Sequence, residues 1–205
     1  MEKNSLICLL MATTLEAKPF IDGLSLIRKT EKPFPVYKNN NYILTISGIG
    51  KTNAAIACAY SCLTFPNCRI INLGAAGATG TKHLLGESFH ITEAVEFDRP
   101  HWKSKTPYVH KPDSLEGFCG AKIATSDHPV IDPEERKKIS LLAELVDMES
   151  ASVIQTCKKL GTLCYLFKFV SDTPEHTNDT DIVDNIKKYR DTFFDFFRQY
   201  AMPLL

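Results

Sequence analysis

The chain alternates short apolar runs with segments of helical periodicity, and this alternation limits its fold more than any other feature. Several of the apolar runs are continuous, as expected of strands covered on both faces. Six runs have strand length: Leu6–Met11, Tyr42–Ile46, Arg69–Leu73, Ser88–Thr92, Lys122–Ala124 and Leu163–Val170. Helical patterns lie at Thr52–Leu63, Glu149–Leu160 and Ile182–Met202. The sequence therefore predicts an α/β domain with a mainly parallel or mixed sheet.

Length and charge exclude several classes of protein. With 205 residues, the chain has the size of one large domain, so we expect a single domain over 1–205. Apolar residues make up 44% of the chain and the formal net charge is zero, which argues against disorder. A zero net charge also argues against a general nucleic-acid or membrane-surface binder.

The N-terminal apolar run is too short for a signal peptide. The run extends only from Ser5 to Met11, after Met1–Asn4, and is predicted to be a buried strand. No stretch approaches the ~18 apolar residues that a membrane span needs. We therefore expect a cytoplasmic protein with no membrane partner.

Neither the cysteines nor the histidines form a recognisable metal motif. The seven cysteines are odd in number and include no CxxC pair, which predicts reduced, buried thiols. The six histidines show no HExxH pattern, and Cys/His spacing does not fit a zinc site. The sequence also lacks the GxSxG signal of a nucleophile elbow.

Two glycine-rich segments follow predicted strands. Ser47–Thr52 ends in Gly-Lys-Thr like a phosphate-binding loop, but the glycine that such a loop needs five places earlier is Thr45. The segment is therefore predicted to be a tight strand-to-helix turn. Asn72–Gly80 is either a plain glycine turn or a loop whose backbone approaches a ligand. The Pro-rich stretch Phe97–Pro133 is interpreted as loops around a site.

Acidic residues lie at three predicted strand exits. Asp147 and Glu149 open a helix, where acidic side chains commonly serve the cap and the dipole. Ser171 and Asp172 end an apolar strand, where they could cap a helix or contact a substrate. Glu16 follows the first strand, and a lone glutamate there is usually solvated.

In their order along the chain, these segments resemble the nucleoside phosphorylase/nucleosidase superfamily. The likeness rests on Ser47–Lys51, Gly74–Gly77, Met148-Glu149 and Ser171-Asp172, and it is greatest to methylthioadenosine/S-adenosylhomocysteine nucleosidases and futalosine hydrolases. It implies a three-layer α/β/α fold with a central mixed sheet, usually as a homodimer. It also implies a purine nucleoside substrate and no metal or organic cofactor.

The resemblance implies roles for individual residues. Asp172 would protonate or hydrogen-bond N7 of the purine, Glu149 would hold the ribose hydroxyls, and Glu16 would position the attacking water. Ser171 would orient Asp172, Met148 would pack on the sugar, and Val130 would offer backbone groups to the base. The other residues placed at the site are Ile49, Ala75, Ala76, Gly77, Pro129, Asp147 and His101.

Electrostatics favour a hydrolase over a phosphorylase. Phosphate needs basic donors, which the phosphorylases of this superfamily place near the first strand exit and before the glycine loop. Here the first of these positions holds Thr13, Thr14 and Glu16, and the second holds Asn72 and Leu73. For the 5′ group of the nucleoside, Thr13 and His101 predict a more polar pocket than methylthioadenosine requires. That leaves the futalosine and methylthioadenosine branches open, with adenine or hypoxanthine as the product.

Three alternatives make different predictions. A phosphorylase would need phosphate for turnover, and a purine-binding protein on the same fold would bind without releasing base. A structural α/β domain with accidental motifs would scatter these segments instead of gathering them round one pocket.

Overall fold

The computed structural model describes residues 6–176 and 178–205, and it contains ten strands and five α-helices in that part of the chain. The predicted strand that starts at Ser5 therefore lies partly outside the described residues. The strands are β1 Ile7–Met11, β2 Ile27–Thr30, β3 Val36–Lys38, β4 Tyr42–Ile46, β5 Arg69–Ala78, β6 Ser88–Pro100, β7 Pro107–His110, β8 Gly120–Thr125, β9 Leu145–Asp147 and β10 Cys164–Asp172. The helices are α1 Thr14–Gly23, α2 Lys51–Thr64, α3 Pro133–Ile139, α4 Ser150–Leu160 and α5 Asp179–Phe196.

All ten strands belong to one mixed sheet, part of which closes on itself. β1 runs parallel to both β4 and β5, and β3 and β2 extend the sheet beyond β4. On the other side of β5, β10 pairs with both β5 and β6, so β5, β9, β8, β6 and β10 form a closed ring. β7 pairs with β6 as a hairpin. The β5–β10 pairing removes the edge that β10 would otherwise leave exposed, whereas β2 still ends the described sheet on the other side.

Helices cover both faces of the sheet, which confirms the predicted α/β/α layering. α2 and α4 pack on one face over a core that includes Ala57, Cys58 and Ile154. α1 and α5 pack on the other face, where Phe20 and Phe193 are buried. After α5 the chain continues as one wide helical turn, Phe197–Ala201, and a short 3₁₀ turn, Met202–Leu204. None of the helices in the described ranges is long and apolar enough to cross a membrane.

The predicted glycine loop is strand in the structure. β5 continues without a break through Gly74 and Gly77 to Ala78. A Cβ at Gly74 would lie 2.8 Å from Glu16 Oε1, and one at Gly77 would lie 2.6 Å from Asp172 Oδ2. Both glycines therefore make room for carboxylates, whereas the sequence suggested a turn or a ligand-binding loop.

Candidate active site

The exits of β1, β5, β9 and β10 open into one cavity of about 430 Å³. Glu16, Glu149 and Asp172 all line it, although they lie far apart along the chain. All three side chains are also buried. A volume of this size suits a small organic ligand. The arrangement excludes the prediction that the acidic segments are scattered through the fold.

Glu16 is fixed by two sets of hydrogen bonds. It forms a capping box with Thr13 at the start of α1: Thr13 Oγ1 and Thr13 N donate to Oε2 at 2.6 and 3.1 Å. The Ala75 N–H donates to Oε1 at 2.8 Å. Glu16 is therefore not the solvated residue that is usual at such a position, because this carboxylate joins α1 to β5 at the cavity wall. Oε1 retains a lone pair for one further donor, such as a water.

Glu149 lies at the N-cap of α4 but does not cap it. Its Oε1 instead accepts a 2.9 Å hydrogen bond from the Gly50 N–H in the turn before α2. Burial, reinforced by the neighbouring Asp147 charge, raises the pKa of Glu149 from 4.5 to about 7. The fold thus holds this carboxyl group where its charged form is disfavoured, and a strongly shifted pKa of this kind is typical of functional sites.

Asp172, the last residue of β10, uses both carboxylate oxygens. Ser171 Oγ donates to Oδ1 at 2.5 Å, and Arg136 of α3 forms an ion pair with Oδ2. The Arg136 guanidinium also donates to the Val130 and Ala78 carbonyl oxygens at 2.9 and 2.8 Å. Arg136 is buried and lines the cavity. A purine that contacts Asp172 Oδ2 must therefore share this oxygen with the Arg136 guanidinium.

A second buried ion pair, between Lys168 and Asp147, lies near Glu149. Lys168 Nζ is 2.9 Å from Asp147 Oδ2, and both side chains are almost fully buried. Although burial lowers the pKa of Lys168, the charges of Asp147 and Glu149 outweigh it and hold that pKa above its ordinary value. The Asp147 carboxylate also accepts hydrogen bonds from the Thr125 hydroxyl and from the N–H of Ser150, the first residue of α4. Asp147 thus binds the first N–H of α4, whereas Glu149 at the N-cap makes no capping hydrogen bond.

Lys168→Met is expected to lower the free energy of unfolding by about 3–5 kcal/mol, because it leaves the Asp147 charge buried without a partner. Urea denaturation at pH 7 measures the change. The matched control is Lys122→Met, whose exposed lysine pairs with Glu93 at 3.2 Å and is worth at most about 1 kcal/mol. Equal losses in the two variants would contradict the assignment of a buried charge pair.

The structure brings nearly all the predicted site residues to the cavity. Ile49, Ala75, Ala76, Gly77, Pro129, Val130, Asp147, Met148 and Ser171 line it with the three carboxylates. His101 does not: it lies between β6 and β7 and packs on Tyr108, with ring centroids 3.6 Å apart. Only the end of the Pro-rich stretch, from Pro129 onward, reaches the cavity, because its remainder forms β6, β7, β8 and their connections.

Sequence reasoning missed both buried cations. Lys168 had a signal, since it is the only charged residue in the run Leu163–Val170 and precedes Asp172 by four positions. Arg136 had none, because it sits in the charged sequence Glu134–Lys138 and resembles a solvated helix residue. By contrast, the Lys51 side chain, predicted not to bind phosphate, is paired with Glu96 at 3.0 Å and Asp98 at 2.7 Å.

Known proteins share both this sequence pattern and this fold. The chain is 24% identical over 194 residues to an aminodeoxyfutalosine nucleosidase of Campylobacter jejuni, covering 81% of the chain and 85% of that protein. It is 27% identical over 161 residues to a 5′-methylthioadenosine/S-adenosylhomocysteine nucleosidase of Staphylococcus aureus, covering 67% and 71%. The chain is homologous to these nucleosidases.

The solved structures agree with the sequence relatives. The Helicobacter pylori 5′-methylthioadenosine/S-adenosylhomocysteine nucleosidase superposes with a TM-score of 0.84 at 19% identity, over 97% of this chain and 98% of that one. The three-layer nucleosidase fold implied by the sequence resemblance is therefore confirmed. No protein-family model matches the chain.

Proposed function

We propose that the protein hydrolyses the N-glycosidic bond of a 5′-modified purine nucleoside and releases the free base. The observation that carries this proposal is the convergence of Glu16, Glu149 and Asp172 on one buried cavity. The homologous nucleosidases support the same class of reaction. A protein that only binds purines has no need of three separate carboxyl groups at its ligand.

Each carboxyl group has a distinct task in this reaction. A purine anion leaves poorly, so Asp172 must take up a proton, which ends its ion pair with Arg136, before it can donate a proton or a hydrogen bond to N7 of the base. As the bond breaks, the ribose gains oxocarbenium character, which the Glu149 carboxylate stabilises next to the sugar hydroxyls. Glu16 orients a water molecule and accepts its proton. Met148 packs on the sugar, and the Val130 backbone faces the base edge.

Water is favoured over phosphate as the nucleophile. Of the described residues that line the cavity, Arg136 is the only one with a cationic side chain, and it is paired with Asp172. The Lys168 ammonium is paired with Asp147. Phosphate would thus meet carboxylates without a free cation to bind it.

The cavity favours an apolar 5′ group. With the base at Asp172 and the ribose at Glu149, the remaining walls are formed mainly by apolar side chains: Leu15, Ile49, Ile182, Val183 and Ile186. Neither residue on which the prediction of a polar pocket rested supports it. The Thr13 hydroxyl is bonded to Glu16, and His101 lies outside the cavity. A neutral thioether therefore fits better than a carboxylated substituent, which would also meet Asp179.

An assay of base release tests both parts of this proposal. We expect purine release without phosphate, unchanged when phosphate is added, and a higher kcat/KM for methylthioadenosine than for aminodeoxyfutalosine. Phosphate-dependent turnover would show a phosphorylase instead. A preference for the carboxylated nucleoside would contradict the apolar pocket while leaving the hydrolytic reaction intact.

We further propose that the protein acts as a homodimer, as its family resemblance implies. Ile49 is 54% exposed although it lines the cavity, and Trp102 is 86% exposed next to His101. A second copy that covers these apolar side chains would also shield the cavity from water. Light scattering in solution measures the mass directly, and a monomer of 23.0 kDa would contradict the proposal.

A further inference from the structure

Six of the seven cysteines form a continuous group in the core, which we call the thiol cluster: Cys8, Cys58, Cys62, Cys68, Cys157 and Cys164. All six are free thiols; five are buried, and Cys62 is half-buried, unlike the prediction. The cluster lies between the sheet and the helices α2 and α4, and none of its cysteines lines the cavity of the three carboxylates. The seventh cysteine, Cys119, stands apart and is exposed.

Three sulfur atoms of the thiol cluster converge on one point. Cys58 and Cys62 are four residues apart on α2 and therefore share one face of the helix. Cys157 reaches the same point from α4, with its Sγ 3.4 Å from that of Cys58. All three Sγ atoms lie within 4.8 Å of one another. Because a metal–thiolate bond is about 2.3 Å long, three sulfurs around one ion are about 4 Å apart. Only small side-chain movements would complete such a site.

We propose that Cys58, Cys62 and Cys157 bind one monovalent copper ion. Ligand sets made only of sulfur select soft ions, of which Cu(I) and Zn(II) are the common ones. Zinc in structural sites is almost always four-coordinate, whereas three sulfurs converge here. Binding exchanges the ligands of the incoming Cu(I) for the protein sulfurs and releases thiol protons to solvent. No electrons are transferred.

The ion has a path to these ligands. A separate cavity of about 240 Å³ is lined by Cys157, Cys164 and Thr162. The Thr162 side chain lies near the Cys62 thiol, and Cys62 is itself half-buried. An incoming ion therefore meets Cys157 from this cavity and Cys62 from the surface, and the fully buried Cys58 completes the site after a side-chain movement.

Bound copper would connect the two helices that hold Glu149. α2 starts directly after Gly50, whose N–H binds the Glu149 carboxylate, and α4 starts directly after Glu149. A ligand that binds only the folded chain also stabilises it by mass action. Copper binding is therefore expected to raise Tm and leave the cavity geometry unchanged.

Competition against a coloured Cu(I) chelator under anaerobic, reducing conditions tests the site. We expect the wild-type chain to withdraw one equivalent of Cu(I), and X-ray absorption to show three sulfur ligands. In Cys62→Ser the affinity should fall more than about 100-fold, since even partners outside a coordination sphere are worth about 10–100-fold. Cys62 is half-buried, so this variant should fold, and circular dichroism checks that it does.

The control is Cys119→Ser, which removes the exposed thiol and should bind Cu(I) like the wild type. Failure of the wild-type chain to compete for Cu(I), or equal affinity in Cys62→Ser, would overturn the proposal. A parallel titration with Zn(II) tests the choice of ion. A four-coordinate zinc site at these thiols, formed in preference to copper, would also overturn it.

Discussion

Asp172→Asn is expected to lower kcat by about 10²–10⁴-fold, the usual contribution of a general acid–base group. The amide keeps the size of the side chain and can still accept the Ser171 hydrogen bond, but it cannot transfer a proton to N7. It also leaves Arg136 without its ionic partner in a buried position. Single-turnover measurement of base release isolates the chemical step from product release.

The matched control for this variant is Asp184→Asn, which changes an exposed aspartate of α5 that pairs with Lys187 at the surface. It should keep the wild-type rate. Thermal unfolding of both variants separates a chemical effect from a loss of fold. A kcat of Asp172→Asn within a few-fold of wild type would contradict the role proposed for Asp172.

Glu149→Gln is expected to lose activity and gain stability. The loss should reach about 10²–10³-fold in kcat/KM, the scale of one electrostatic contact to a developing charge. The gain arises because burial and the neighbouring Asp147 disfavour the charged form and raise the pKa of Glu149 to about 7. The glutamine stays neutral and can still accept the Gly50 N–H.

The sign of the stability effect depends on pH. Below the ordinary pKa of 4.5, glutamate is neutral in both folded and unfolded chains, so the variant and the wild type should match. Between 4.5 and about 7 the folded wild type binds more protons than the unfolded chain, so its stability falls as the pH rises. At pH 8 the variant should therefore be more stable by roughly 1–3 kcal/mol.

Activity has the opposite pH dependence. If the charged Glu149 carboxylate stabilises the oxocarbenium ion, wild-type kcat/KM should fall as the pH decreases through about 7, and this limb should vanish in Glu149→Gln. Denaturation and kinetics at pH 5 and pH 8 measure both effects. Glu134→Gln, at an exposed position of α3, is the control and should change neither quantity. A variant with a wild-type pH profile would contradict the assignment.

The long buried elements were predictable because their apolar patterns are local. The run at Tyr42–Ile46 coincides with β4, and the alanine-rich segment after Gly50 is α2 within one residue at each end. β2, β3 and β7 were missed because they are short and lie toward the sheet margin, and β9 was anticipated only as a strand end at Asp147. α3 was missed because it is short and mostly charged, and because it starts at Pro133, the last residue of the stretch interpreted as loops.

The site was predictable as a set of residues and much less so as a geometry. The three carboxylates stood at strand exits, and parallel strands bring such exits to one edge of a sheet. What sequence could not show was which oxygen each carboxylate leaves free, since Ala75, Gly50 and Arg136 bind them from distant parts of the chain. The 5′ pocket was predicted to be polar because the sequence did not show that α5, from a distant part of the chain, supplies apolar side chains to the cavity wall.

The sequence by itself determined the alternation of strands and helices, the acidic residues at the strand exits, and the likeness to nucleosidases. These depend on hydrophobic periodicity and short motifs, which are properties of neighbouring residues. Only the tertiary structure decided that the sheet closes through the β5–β10 pair and that Arg136 and Lys168 are buried beside the acids. It also decided that three cysteines converge between α2 and α4. Such contacts join residues tens of positions apart, and the free energy of a buried charge depends on its burial and on those neighbours.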